Sequence, residues 1–167
     1  MIAKSSIHKN LKTIDKLYAK SISAKEGLFY SKLALLELCG WIEESMDDIV
    51  LRCAKRYLKN KGNFNFVKTS VIERTYGFEY HKHFRNMLRQ VLGIIKLERL
   101  EHNLDPAKFP KMQASLESLK KRRDSEAHTH LKGVTKTLDA PSIMLSHLLI
   151  VYEGLKDVDN KLRSLKV

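Results

Sequence analysis

The sequence predicts an all-α protein, a bundle of about five to six helices in one domain that spans residues 1–167. Hydrophobic residues make up 43% and charged residues 30% of the 167 positions, which is typical of a globular chain. The chain has only 7 Gly and 3 Pro, which are few turn-forming residues for the many turns of an all-β fold. Apolar residues also recur every three or four positions through most of the chain, which indicates amphipathic helices.

The apolar spacing and the terminal signals place the helices in order along the chain. Ser23 and Glu26 form a predicted capping box that opens the longest helix, and Gly62 is interpreted as the residue that closes it. Gly40 inside that helix costs about 1 kcal/mol relative to alanine, which suggests a bend or the close approach of another backbone. Pro141 is well placed to start the last helix. The predicted helices cover residues 4–22, 24–60, 79–104, 112–127 and 141–167, while residues 64–77 fit either a short helix or an ordered loop.

The formal net charge of +12 indicates an anionic partner, for which nucleic acid is the commonest choice and a membrane surface the next. A basic surface without a partner is the alternative. Four basic residues cluster at the end of the longest helix, namely Lys55, Arg56, Lys59 and Lys61. Their position suits RNA binding, and it equally suits a favourable interaction with the negative end of the helix dipole.

The two cysteines and the N-terminal residues bear on the compartment of the protein. Cys39 and Cys53 are fourteen residues apart on one predicted helix, about 21 Å, so they cannot form a disulfide with each other. No apolar stretch follows Met1, and no run approaches the roughly 18 apolar residues of a membrane span. We therefore expect a reduced, cytoplasmic protein with no membrane partner and no cofactor.

The segment from Lys120 to His130 concentrates positive charge, a possible proton carrier and a predicted helix end. Arg123 offers a planar, permanently charged fork that suits two phosphate oxygens, and His128 titrates near neutral pH. Five residues apart, the two side chains differ by about 140° around a straight helix. The helix is therefore predicted to end between them, near Ala127, or each side chain takes its partner from elsewhere.

The residues Arg123-Asp-Ser-Glu-Ala-His128 resemble the Arg-x4-6-His signature of the HEPN superfamily. The long apolar helix containing residues 37–44 and the Gly-Val-Thr-x-Thr-Leu-Asp-Ala-Pro-Ser loop extend the resemblance to the MAE-type branch of HEPN-like nucleases. The resemblance implies a metal-independent endoribonuclease that leaves a 2′,3′-cyclic phosphate. It also implies a homodimer with a shared active-site cleft, because one histidine cannot act as base and acid at once.

The resemblance also assigns roles to individual residues. Arg123 would bind the phosphate, and His128 would act as general base or acid. Arg122, Thr129 and His130 are candidates for RNA binding. Asp124 stands where the family usually has Asn, and it would either partly neutralise Arg123 or orient His128. RNA is the expected substrate, and a role as toxin or defence effector makes a cognate antitoxin or inhibitor protein a candidate partner.

Other interpretations of the same residues stay open. The pairs His81/His83 and His128/His130 have the His-x-His spacing of metal ligands, but no further ligands follow nearby, so no metal site is expected. Five carboxylates on the longest helix are interpreted as a solvated acidic face: Glu37, Glu43, Glu44, Asp47 and Asp48. The main alternative function is a non-catalytic HEPN-fold module that binds RNA or a protein. A third is an interaction protein that builds a hetero-oligomer.

Overall fold

The computed structural model describes residues 2–127 and 138–165. Its regular structure is helical throughout these residues, which confirms the predicted all-α bundle. The helices are α1 (Ser5–Ala19), α2 (Ala24–Tyr57), α3 (Lys61–Phe66), α4 (Arg85–Leu92), α5 (Ile94–His102), α6 (Lys108–Ala127) and α7 (Pro141–Ser164). Two π-helical segments accompany them, Val67–Ile72 directly after α3 and Tyr80–Phe84 directly before α4.

Four long helices form the centre of the bundle. α2 packs against α1, α6 and α7, and α7 also packs against α1 and α6. Fully buried side chains from α2, α6 and α7 meet in one hydrophobic core, among them Leu38, Ile42, Leu116 and Leu148. α6 therefore lies against both α2 and α7, and this packing fixes the positions of its last turns.

The start of α2 has the capping box that the sequence predicts. The backbone N–H of Glu26 donates to Oγ of Ser23 at 3.2 Å. The Glu26 carboxylate accepts in return from the backbone N–H of Ile22 at 2.9 Å. The first bond satisfies an N–H group that the first turn of a helix leaves without an intrahelical partner, and the second holds the residue before the cap against that turn.

The predicted role of Gly62 as the residue that closes α2 is wrong. α2 ends at Tyr57, and Gly62 lies inside α3. Asn60 explains the new start, because its Oδ1 accepts from the backbone N–H groups of Gly62, at 2.7 Å, and Asn63, at 3.2 Å. Of the two alternatives for residues 64–77, the short helix is found, and it continues as π-helix to Ile72.

The single helix predicted over residues 79–104 is also wrong. It begins with the π-helical segment and then divides at Gly93 into α4 and α5. Gly93 has φ of +75°, a conformation that favours glycine, and its N–H donates to the Arg89 carbonyl at 2.9 Å to end α4. The apolar period continues through the break, which is why periodicity alone did not reveal it.

α6 starts four residues before the predicted position. Oδ1 of Asp105 accepts from the backbone N–H groups of Ala107 and Lys108, so it caps the new first turn. Pro110 lies within that first turn, where its missing N–H removes no intrahelical hydrogen bond. α7 begins at Pro141, as predicted.

Two further sequence expectations concern the cysteines and the membrane. Cys39 and Cys53 are both buried and free. Within residues 2–127 and 138–165, no helix combines the length and the apolar character that crossing a membrane requires.

Candidate functional site

Arg123 lies near the end of α6, and two other parts of the fold hold its guanidinium. Nη1 forms an ion pair with Oε1 of Glu43 on α2. The guanidinium carbon lies 5.4 Å from the ring centre of Phe78, a fully buried residue, which is within cation–π range. A carboxylate and an aromatic face thus fix the predicted phosphate-binding arginine where α2, α6 and the segment before α4 meet.

These contacts border an open cleft of about 300 Å³. α6 contributes Arg123, and α2 contributes Glu43 and Asp47. The opposite side comes from the chain between the first π-helical segment and Phe78, and it includes Tyr76 and Gly77. The cleft therefore combines one guanidinium with three carboxylates: Glu43 and Asp47, one helical turn apart on α2, and Glu73 from the opposite side.

Gly77 shapes the wall of this cleft in two ways. Its φ of +127° is a backbone conformation that favours glycine. A Cβ at this position would also lie only 2.7 Å from Cε1 of His83. Glycine thus lets the chain turn between Tyr76, which lines the cleft, and Phe78, which is buried under Arg123.

Asp47 is the carboxyl group of the cleft with a shifted pKa. Burial, followed by the negative charges of Glu43, Asp48 and Glu44, raises the pKa of Asp47 to about 6. The group is therefore largely ionised at pH 7 and takes up a proton on mild acidification. The prediction of a wholly solvated acidic face on α2 is wrong for Glu43 and Asp47, because the fold turns both toward the cleft that Arg123 borders.

Arg122 and Asp124, the predicted supporting residues beside Arg123, have other partners. Arg122 forms an ion pair with Asp139, just before α7. Asp124 forms an ion pair with Lys120 one turn earlier on α6, and its Oδ1 lies 3.8 Å from Nε of Arg123. Since Glu43 is closer to the guanidinium than Asp124 is, Glu43 is the main counter-charge of Arg123.

His128, Thr129 and His130 lie outside the described residues. Ala127 is the last residue of α6 in the described chain, so His128 directly follows it in sequence. The predicted geometry between Arg123 and His128 stays a prediction.

Two described histidines lie close to this region. His83 is half-buried, and its Nδ1 accepts from the backbone N–H of Glu79 at 3.2 Å. Burial lowers the pKa of His83, with Glu79 acting in the opposite direction and Lys120 in the same one. The π-helical segment turns the ring of His83 under Gly77.

His147 lies at the contact between α6 and α7. Its Nδ1 is 2.6 Å from Oγ of Ser115, a buried residue of α6. Burial lowers the pKa of His147, and the positive charge of Arg122 lowers it further. A neutral imidazole with a fixed hydroxyl partner is consistent with a structural role in holding α6 against α7.

Among the described residues, no group of three or more His, Cys, Asp or Glu side chains has an arrangement that could hold a metal ion.

The residues that sequence reasoning missed are Glu43, Asp47 and Phe78. The sequence assigned Glu43 and Asp47 to an acidic, solvated face of α2. It did not indicate that this face meets α6, and no pattern marked Phe78 as the partner of a cation.

Comparisons with known proteins do not assign this chain to a family. No protein-family model matches it, no curated protein matches it, and no solved structure matches it.

Proposed function

We propose that the protein is a metal-independent endoribonuclease of the HEPN type, with Arg123 and His128 as its catalytic residues. The observation that carries the proposal is the setting of Arg123, whose guanidinium borders an open cleft and is held by Glu43 and Phe78. A preorganised cation in a cleft is what stabilisation of a pentacoordinate phosphate requires. The net charge of +12 supports RNA as the substrate.

The proposed reaction needs three groups to act on one phosphodiester. A base removes the proton of the 2′-hydroxyl, and the 2′-oxygen attacks phosphorus. The bond from phosphorus to the 5′-oxygen breaks, and an acid protonates the leaving oxygen. The products are a 2′,3′-cyclic phosphate and a 5′-hydroxyl. Arg123 binds the phosphate oxygens through the transition state, and His128 acts as base or acid.

In this scheme, Glu43 and the RNA phosphate bind the same guanidinium. A phosphate that enters the cleft competes with the Glu43 carboxylate for the Arg123 guanidinium. The ion pair keeps the arginine in place before RNA binds, and it also offsets part of the positive charge that RNA would meet.

A homodimer is part of the proposal, because a second copy supplies the second proton carrier. The outer face of α2 has exposed apolar residues at Phe29, Leu33 and Leu36, which are 51%, 44% and 39% exposed. Gly40 extends the same face, and among the described residues no heavy atom beyond its own stretch of helix lies within 4 Å of where its Cβ would be. Apolar side chains followed by an open glycine suit a second copy whose α2 crosses closely at Gly40.

The position of this face relative to the cleft supports the choice of a second copy. Glu43 and Asp47 lie on the same side of α2 as Gly40, at steps of three and four residues. In an antiparallel crossing centred on Gly40, the two Glu43 residues would lie about 9 Å apart along the helix direction. Two Arg123 clefts would then open toward a shared space.

The test is cleavage of end-labelled single-stranded RNA in the presence of EDTA, with analysis of the product ends. The wild-type protein should give 2′,3′-cyclic phosphate ends. R123A and H128A should lose cleavage at least 100-fold, whereas K121A, which removes an exposed cation from the same turn, should retain it. Unchanged cleavage by H128A would overturn the mechanism.

A non-catalytic module that binds RNA or a protein is the second candidate function. The ion pair between Arg123 and Glu43 favours it, because it neutralises the arginine that catalysis needs. The same experiment separates the candidates: this one predicts that the wild-type protein binds the RNA and leaves its ends unchanged. A cognate antitoxin or inhibitor protein belongs to the nuclease proposal alone, as does a role in defence.

A further inference from the structure

A second cleft, of about 430 Å³, lies where α2 ends and α3 begins. Its lining includes the apolar side chains of Leu58 and Phe64, both of which pack against the core. Lys55, Lys59 and Lys61 contribute three ammonium groups to the same lining, and Asn65 contributes an amide. The cleft thus combines an apolar, partly aromatic floor with positive charge.

The sequence around this cleft has basic residues and no acidic ones. Residues 49–72 contain six Lys or Arg residues and no Asp or Glu. Arg52 pairs with Asp48 and Asp159. Within the described chain, by contrast, no acidic side chain forms an ion pair with Lys55, Lys59 or Lys61.

The helix dipole does not account for the whole cluster. Lys55 lies in the last turn of α2, where a cation is favoured. Lys61 is the first residue of α3, where the helix end carries the opposite sign and a cation gains nothing. An anionic ligand would stabilise all three lysines together, so the ligand interpretation explains what the dipole interpretation does not.

We infer that this cleft is a second RNA contact, in which Lys55, Lys59 and Lys61 bind the phosphates of a single strand and the ring of Phe64 stacks a base. Phe64 is half-buried, so part of its ring is open to the cleft that it lines. Stacking on aromatic rings together with a basic groove is the usual way to bind single strands. The inference shares RNA as partner with the proposed function, but it does not require cleavage.

The separation of the two clefts sets the length of RNA that reaches both. Glu43 at the first cleft and Tyr57 at the end of α2 are fourteen residues apart, about 21 Å along the helix. At about 3.4 Å per stacked nucleotide, this corresponds to roughly six nucleotides. A strand of four nucleotides engages one cleft at a time, whereas one of twelve can engage both.

RNA fits the cleft better than other anionic partners do. An acidic peptide would use the lysines and leave the ring of Phe64 without a role. A flat membrane surface does not enter a concave site. The combination of lysines, an amide and an aromatic ring corresponds to the phosphates, base edges and base faces of a nucleic acid.

The test uses a fluorescent 12-nucleotide RNA with 2′-O-methyl groups throughout, so that the 2′-oxygen cannot attack and binding is measured alone. Anisotropy titrations across a range of salt concentrations compare the wild-type protein with a triple variant, K55Q/K59Q/K61Q. The control is K9Q/K12Q/K16Q, which removes three exposed lysines of α1, beside the first half of α2. Circular dichroism verifies that both variants fold.

The logarithm of the binding constant falls with the logarithm of the salt concentration, and loss of three phosphate contacts should make this negative slope shallower by about 2. The K55Q/K59Q/K61Q variant should therefore bind at least tenfold more weakly at low salt, while the α1 control keeps the wild-type slope. F64L keeps an apolar side chain against the core but removes the ring, so it should bind about tenfold more weakly with the slope unchanged, because stacking is not an ionic contact. Circular dichroism verifies that this variant folds as well.

Equal loss of slope in both triple variants would overturn the inference, since it would reduce the effect to overall charge. Competition by polyglutamate or by phosphatidylserine vesicles as strong as that by unlabelled RNA would also overturn it. The nuclease proposal fails separately. Binding through this cleft with no cleavage of unmodified RNA would refute the nuclease and leave the second RNA contact standing.

Discussion

Replacing Gly154 with alanine tests how closely α6 and α7 pack, and hence how firmly Arg123 is placed. A Cβ at Gly154 would lie 2.6 Å from both Cβ and Sδ of Met112. Cβ of Met112 is fixed by the backbone of α6, so the two helices must separate to make room. Overpacking of this kind costs about 1–3 kcal/mol, and the higher helix propensity of alanine returns about 1 kcal/mol. We expect G154A to lose up to about 2 kcal/mol in the free energy of unfolding.

Gly40 provides a matched control, because it is a second mid-helix glycine with the opposite surroundings. In the part of the chain that the structure describes, no heavy atom outside the adjoining turns of α2 lies within 4 Å of where its Cβ would be. The helix propensity of alanine is then gained without a clash, and G40A should gain about 1 kcal/mol in the stability of the single chain. The same substitution should weaken dimerisation if α2 crosses its copy at this glycine.

Urea denaturation at several protein concentrations measures both effects, since only the association term depends on concentration. A change of 1 kcal/mol corresponds to about 2–4 °C in Tm for a chain of this length. Equal or greater stability of G154A relative to the wild-type protein would refute the close packing of α6 on α7. A concentration-independent gain for G40A that leaves a dimer intact would refute the proposed crossing.

Three further predictions concern the site and its support. The raised pKa of Asp47, about 6, means that the folded state holds this proton more tightly than the unfolded state, so stability falls as pH rises from about 4 to about 6. D47N should remove that fall and gain about 1 kcal/mol in the free energy of unfolding at pH 7, a value reduced for solvent screening because the group is partly exposed. Urea denaturation across this pH range measures the change. If D47N keeps the pH dependence of the wild-type protein, the raised pKa of Asp47 is refuted. F78L keeps an apolar side chain but removes the ring beneath Arg123, so RNA cleavage should fall about tenfold while the free energy of unfolding falls by about 1 kcal/mol. Measuring kcat/KM and the urea midpoint of the same variant separates the two effects. An unchanged kcat/KM would show that the ring does not position the arginine. E101Q should lose about 1–3 kcal/mol in the free energy of unfolding, because the Glu101 carboxylate accepts from Nε and Nη2 of Arg85 at 2.8 and 3.0 Å. Urea denaturation measures the loss, and a value below about 0.5 kcal/mol would show that these bonds contribute little.

The sequence by itself determined the fold class and the main helices. Apolar residues at steps of three and four are a local consequence of the helical repeat, so they can be read without knowledge of the tertiary structure. The capping box of Ser23 and Glu26 and the position of Pro141 were predictable for the same reason, since each acts within a few residues of itself. Gly93 and Asn60 act locally too, but their signals were weaker than the apolar period around them.

Only the tertiary structure decided which side chains meet Arg123. Glu43 precedes it by eighty residues and Phe78 by forty-five, and no local pattern links residues at such separations. The sequence showed that α2 carries Glu43 and Asp47 among five carboxylates, but whether they meet solvent or α6 depends on how the helices pack. The result is an arginine with a fixed carboxylate partner and a shifted carboxyl pKa beside it, because packing sets burial and distance, and these set the electrostatics of the cleft.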